Sequence, residues 1–124
     1  MGKPGNAGAG RIIRATRFSA QGLVFAFRNE AAFRQELGMA VVLTPVALWL
    51  GQTPMEKLLL ILTLLIVLLT ELLNSAVEAT VDRISDDHHE LAGGAKDMGS
   101  AAVLVSLVIV AVTWAVIAWQ RFAA

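Results

Sequence analysis

Glu71, Asn74, Ser75, Glu78 and Asp82 follow one another at three- and four-residue spacing, directly behind a run from Leu58 to Leu69 that is apolar except for Thr63. At about 100° per residue these side chains share one stripe of a helix, about 100° wide. An acidic side chain at membrane depth costs about 2.5–3.5 kcal/mol on insertion scales, so such groups face a bundle interior and mark an ion, proton or substrate site. At a rise of about 1.5 Å per residue, Glu71 and Glu78 lie about 10 Å apart along the axis, with Asp82 another turn beyond. One face of one helix is therefore an acidic wall that runs from within the bilayer toward one surface. Carboxylates so placed can hold a hard cation, carry a proton, or take a proton from an attacking hydroxyl.

Cations accompany the wall: Arg11, Arg14, Arg17 and Arg28 precede it, and Lys96 beside Asp97 follows the Gly93-Gly94 pair. A metal to bridge phosphate oxygens, cations to neutralise developing charge and a base for the attacking hydroxyl are the parts that phosphoryl transfer needs. If the acceptor is a lipid alcohol, the base has to reach the interface from inside the bilayer, and Glu71 is so placed. The chain carries neither a Gly-x-x-x-x-Gly-Lys-Ser/Thr loop nor a protein-kinase signature. The patterns alone leave open a membrane enzyme acting on a phosphate group, and equally an oligomeric channel, transporter or scaffold. His88 and His89 point about 100° apart if helical, among acids that suggest a solvated loop, and we expect no metal between them.

The elements that must position these residues are legible from hydropathy. With 124 residues, 56% of them hydrophobic, and a mean hydropathy of +0.67, the chain reads as an integral membrane protein of one domain, residues 11–124, behind a Gly-rich disordered tail, residues 1–10. From Arg11 to Asn29 the pattern is a two-sided helix: Ile12, Ile13, Ala20, Leu23 and Phe27 gather opposite Arg11, Arg14, Arg17, Gln21 and Arg28, with Phe18 and Phe25 falling on the basic side. A basic amphipathic helix of this kind lies in the membrane interface. Spans are expected over 31–50, 57–81 and 98–119, joined by a Gly51–Pro54 turn and a polar loop from Asp82 to Asp97. Trp114 and Trp119 stand toward the far interface of the last span.

Lys3, Arg11, Arg14, Arg17, Arg28 and Arg34 precede the first apolar run and Arg83 and Lys96 sit in the polar loop, which leaves Lys57 and Arg121 for the opposite side. The positive-inside rule then places the N-terminus and the Asp82–Asp97 loop in the cytoplasm. Without cysteine there is no disulfide and no thiolate site, so a metal here is held by oxygen or imidazole, and Mg²⁺ or Mn²⁺ fits best. Lys plus Arg balance Asp plus Glu at ten each, and we expect no nucleic acid partner. Three spans are too few to enclose the wall, so a neighbouring copy is expected to cover it.

Three stretches carry a family resemblance: Asn29-Glu-Ala-Ala-Phe-Arg-Gln-Glu36, Glu71-Leu-Leu-Asn-Ser-Ala-Val-Glu-Ala-Thr-Val-Asp-Arg83 and His89-Glu-Leu-Ala-Gly-Gly-Ala-Lys-Asp-Met-Gly-Ser-Ala-Ala-Val103. In this order they closely resemble the bacterial diacylglycerol kinase family, over nearly the whole chain after the tail. The resemblance implies a homotrimer of three-span subunits with an amphipathic surface helix. It implies transfer of the ATP γ-phosphate to diacylglycerol with Mg²⁺ at the bacterial inner membrane. It assigns Glu71 as proton acceptor for the lipid hydroxyl, Glu30 and Glu78 to the metal, and Asn74 as their support. Arg11, Phe18, Asp87, His89, Lys96 and Asp97 fall at positions that touch ATP, alongside Glu30 and Glu78. Arg34, Gln35, Glu36, Ser100 and Trp114 fall at positions that touch lipid. Phe18 stands where the family carries a tyrosine and Gly94 where it carries an arginine, which removes a hydroxyl and a cation from two nucleotide positions. Two other readings remain: an undecaprenol kinase on the same scaffold, and a proton-coupled transporter subunit with Glu71 as the proton carrier.

Overall fold

The computed structural model describes residues 8–84 and 89–123, and within them the backbone runs as helices α1 (Gly8–Asn29), α2 (Ala31–Leu50), α3 (Pro54–Ile84) and α4 (Glu90–Ala123). Three of these, α2, α3 and α4, are long and apolar enough to cross a membrane. Leu65, Leu69, Leu73, Leu104, Val105 and Val112 all stay exposed on the monomer, as expected of surfaces that meet lipid or another subunit.

Each junction has a local cause. Between α1 and α2 only Glu30 leaves the helical region (φ −120°, ψ 107°), while its N–H still donates to the Ala26 carbonyl at 2.9 Å. The last carbonyls of α1 would otherwise be orphaned. Arg34 reaches back to them, its guanidinium donating to Phe27 O at 2.8 Å and Arg28 O at 3.3 Å, with the cation at the negative end of the helix dipole. Between α2 and α3 the chain turns at Gly51, where a Cβ would lie 2.7 Å from Lys57 Cγ and 2.8 Å from Lys57 N. The requirement there is space for the close backbone, since Gly51 has an ordinary φ of −71°. Thr53 Oγ1 then accepts from Glu56 N at 3.1 Å, Glu56 Oε1 accepts from Gln52 N at 2.8 Å, and Pro54 occupies the first helical position.

The core lies at the end of the bundle away from the acidic wall. Ala47, Leu50, Leu60 and Ile117 are buried against one another, with Ile61, Trp114 and Ala118 packed around them. Trp114 Nε1 donates to Thr63 Oγ1 at 3.0 Å, and the Thr63 hydroxyl donates to Leu60 O at 2.7 Å, so the one polar residue in the apolar run of α3 ties it to α4. Arg121 closes the same end, donating to Leu50 O at 3.5 Å with its guanidinium 4.9 Å from the centre of the Trp49 ring. Trp114 is thus a half-buried cross-helix link, whereas Trp119 is exposed.

Helix boundaries also differ from expectation. Gly8–Gly10 belong to α1, and residues 1–7 lie outside the described residues. Pro54 opens α3 three residues before the expected span. The stretch read as a loop is largely helical: Asp82, Arg83 and Ile84 end α3, and Glu90 to Asp97 form the first turns of α4, Gly93 and Gly94 included. The reason is length. At about 1.5 Å per residue, 31 and 34 residues reach about 46 and 51 Å, well beyond a hydrocarbon core of about 30 Å. Both helices continue past the apolar region, and a helix surrounded by water carries the same polar residues as a loop. Ser85, Asp86, Asp87 and His88 lie outside the described residues.

Candidate active site

On α3 the i, i+4 spacing of Glu71 and Ser75 sets the first contact: the Ser75 hydroxyl donates to Glu71 Oε2 at 3.1 Å, and both residues are buried, at 5% and 8% exposure. That bond engages one carboxylate oxygen and fixes the rotamer of the other. From α2, Glu36 brings a second carboxyl group within electrostatic reach of that of Glu71. Glu36 Oε2 is itself buried with no hydrogen-bond partner among the described residues. Two acidic groups from neighbouring helices therefore meet at the deepest point of the wall.

Less than one turn beyond Glu71, Asn74 donates through Nδ2 to Oε1 of Glu78, the next i, i+4 pair, at 3.5 Å. Asn74 Oδ1 is buried without a partner among the described residues. Glu30 approaches from the break between α1 and α2. Its side chain makes no capping bond, and it lines a cavity of about 470 Å³ together with Ser19, Gly22 and Leu23 of α1 and Ser75 and Ala79 of α3. At the end of the wall α4 contributes Lys96, whose ammonium pairs with Asp82 at 2.5 Å and lies within the field of Glu78.

Glu36, Glu71, Asn74, Glu78 and Lys96 thus follow one another along α3, while Glu30 lines the cavity on the Leu72, Ser75, Ala76 and Ala79 side of that helix. The other sequence-derived candidates stand apart from that group. Arg11 and Phe18 are exposed on α1, and Gln35, Asp97 and Ser100 are exposed on α2 and α4. Arg34 is engaged with the α1 carbonyls, and Trp114 sits beside Thr63, about four turns of α3 away from Glu78 on the far side of Glu71. His89 caps α4, its Nδ1 accepting from Leu91 N at 3.0 Å. Asp87 lies outside the described residues. Sequence reasoning missed the capping roles of Arg34 and His89 and the Trp114–Thr63 link. For the last a signal existed, a single hydroxyl in an apolar run facing a span with an indole.

The donor set bears on a cation. Among the described residues no three His, Asp or Glu side chains cluster as a self-sufficient metal site. Mg²⁺ does not require one, because it is commonly bound through one or two carboxylates together with water and substrate phosphates. Glu78 with the Asn74 carboxamide beside it, and Glu30 at the cavity on the neighbouring face of α3, carry the hard oxygen donors such an ion selects, and in donor chemistry they fit a phosphate-bound Mg²⁺. Chemically the wall offers a buried base at membrane depth and, farther along, a place for a charged phosphate group beside an ammonium.

Comparison with known proteins supplies an independent finding. The family model described as prokaryotic diacylglycerol kinase matches residues 17–118. The chain is 50% identical over 113 residues to the diacylglycerol kinase of Escherichia coli (strain K12), covering 90% of this chain and 92% of that one. It is 52% identical over 113 residues to the diacylglycerol kinase of Pseudomonas aeruginosa, covering 91% and 92%, and 50% identical over 107 residues to that of Haemophilus influenzae, covering 86% and 91%.

Proposed function

The chain belongs to the prokaryotic diacylglycerol kinase family, and from that premise we propose that it transfers the γ-phosphoryl group of ATP to diacylglycerol, yielding phosphatidic acid and ADP. Glu71 accepts the proton of the lipid hydroxyl, whose oxygen forms the new bond to the γ-phosphorus as the bond from phosphorus to the β–γ bridging oxygen breaks. Ser75 holds one oxygen of Glu71 and leaves the other for the incoming proton. A general base in this position supplies about 10²–10⁴ of the rate.

Glu30 and Glu78 hold Mg²⁺, steadied by Asn74. When bound, such an ion would supply neutralisation of the charge that develops as the phosphoryl group transfers. Lys96 and Asp97 contact the nucleotide, joined by Arg11, Phe18, Asp87 and His89. Arg34, Gln35, Glu36, Ser100 and Trp114 line the path of the lipid. The helix α1 lies on the inner-membrane surface with Arg14, Arg17 and Arg28 toward phosphate head groups, and the N-terminus and the α3–α4 junction face the cytoplasm. The working form is a homotrimer, in which a neighbouring subunit covers the side of the wall that one chain leaves open.

The observation that carries this reading is the placement of Glu71: buried, oriented by Ser75, and on the same helix face as Glu78, about two turns before the end where Glu78, Asn74 and Lys96 lie. A proton carrier would have no use for Lys96 or for a carboxylate–carboxamide pair at one surface. The test is transfer of label from γ-³²P-ATP in mixed micelles with Mg²⁺, offering diacylglycerol and undecaprenol side by side. Labelled phosphatidic acid is the expected product. Preferential labelling of undecaprenol moves the substrate to a polyprenyl alcohol, and label in neither lipid overturns the proposal.

A further inference from the structure

The helix α4 passes close to α3 at Gly99. A Cβ built there would strike Asn74 Oδ1, would lie 3.3 Å from Asn74 Cγ and 3.8 Å from Asn74 Cα. Gly99 has no need of glycine's backbone freedom, since it lies inside a regular helix, and no non-glycine or glycine residue near it has a positive φ. What the position requires is an absent side chain. The volume left open is filled by one carboxamide, and by that carboxamide's oxygen.

The chemistry around Asn74 sets which way the amide points. Nδ2 faces Glu78 Oε1 at 3.5 Å, a donor against a carboxylate, whereas the flipped amide would set oxygen against oxygen. Oδ1 is then forced toward α4, where it is screened from solvent and has no donor among the described residues.

We infer that Gly99 is a positioning residue for the phosphoryl-transfer site: by leaving room for the Asn74 carboxamide against α4, it keeps Nδ2 on Glu78 and so holds that carboxylate in register. The inference rests on the kinase reading given above. It assigns to α4 a role beyond Lys96 and Asp97, as the wall against which the α3 carboxamide is held in register. Adding one methyl group at residue 99 turns Asn74 out of this rotamer or pushes the helices apart, and either movement releases Glu78.

A double-mutant cycle between Gly99→Ala and Asn74→Ala tests it, with kcat and the KM for Mg·ATP measured in mixed micelles and the thermal unfolding midpoint measured on the same preparations. Gly99→Ala is expected to lower kcat/KM about tenfold or more, with a rise in the KM for Mg·ATP. In the Asn74→Ala background, where the oxygen it strikes is gone, the same Gly99→Ala change is expected to alter kcat/KM by less than about twofold. An equal fold-loss in both backgrounds, or no loss in the Asn74 protein, overturns the inference. If the unsubstituted protein phosphorylates neither lipid, the kinase reading has failed, and the coupling is read from unfolding instead: a drop in the midpoint on Gly99→Ala that vanishes beside Asn74→Ala retains the contact, and an equal drop in both backgrounds refutes it.

Discussion

Replacing Glu71 by glutamine separates the chemical role of this group from its structural one. Glutamine has nearly the volume of glutamate, and its carbonyl oxygen can still accept the Ser75 hydroxyl, which now contacts Glu71 Oε2 at 3.1 Å. Its amide can donate to the Glu36 carboxyl group that faces it. Neither neighbour is orphaned, and an acidic group is removed from membrane depth, where it is costly. The unfolding midpoint is therefore expected to stay or rise. Loss of the base removes about 10²–10⁴ of the rate, equivalent to about 2.7–5.5 kcal/mol in the barrier at 1.36 kcal/mol per factor of ten. Glu71→Asp keeps the acid but draws it back by about one C–C bond length. A displacement of about 1 Å costs about 10²-fold in well-positioned systems, so the aspartate variant is expected near the upper edge of the glutamine range. The assay is the initial rate of label transfer to diacylglycerol at saturating Mg·ATP, with nucleotide binding followed by titration calorimetry. Binding should persist in both variants, because Glu78, Asn74 and Lys96 are untouched. A glutamine variant that turns over within about threefold of the parent protein would show that the proton goes elsewhere.

Three further perturbations address the rest of the site and the scaffold. Glu78→Gln keeps an acceptor for Asn74 Nδ2 but removes the charge, so the KM for Mg·ATP is expected to rise by about tenfold or more, measured with Mg²⁺ varied at fixed ATP. Lys96→Met breaks the pairing with Asp82, in which both side chains are well exposed, so the unfolding midpoint should barely move while nucleotide affinity falls; a large loss of stability with unchanged affinity would assign Lys96 a purely structural role. Trp114→Phe deletes the donor to Thr63 Oγ1, and because the Thr63 hydroxyl still donates to Leu60 O, the cost is expected at about 0.6 kcal/mol, the mean for such bonds in membranes, read from unfolding in detergent.

What could be read from the sequence divides along a physical line. The acidic wall was legible because its residues lie on a single helix, where three- and four-residue spacing converts directly into a shared face: the Glu71–Ser75 and Asn74–Glu78 bonds are both i, i+4 pairs. The spans were legible because lipid imposes a length on apolar runs, and α2 runs from Ala31 to Leu50 as expected. Contacts between helices depend on azimuth and approach distance, which no local pattern carries. Hence Gly99 against Asn74, Glu36 beside Glu71 and Trp114 on Thr63 emerged only with the fold. The Asp82–Asp97 stretch was misread for a different reason. Polar composition signals exposure to water, and it does not separate a loop from a helix that has left the bilayer. The capping roles of Arg34 and His89 were hidden in the same way, since both side chains serve backbone groups whose exposure depends on where a helix ends.

The central claim is that the acidic wall serves group transfer at one membrane surface rather than passage of protons between surfaces. It is tested most directly in proteoliposomes that contain diacylglycerol and a lumenal pH-sensitive dye, with γ-³²P-ATP and Mg²⁺ added outside. Labelled phosphatidic acid, with lumenal pH no different from that of protein-free vesicles, is the predicted result. Protein-dependent acidification or alkalinisation of the lumen, with no labelled lipid, would contradict it.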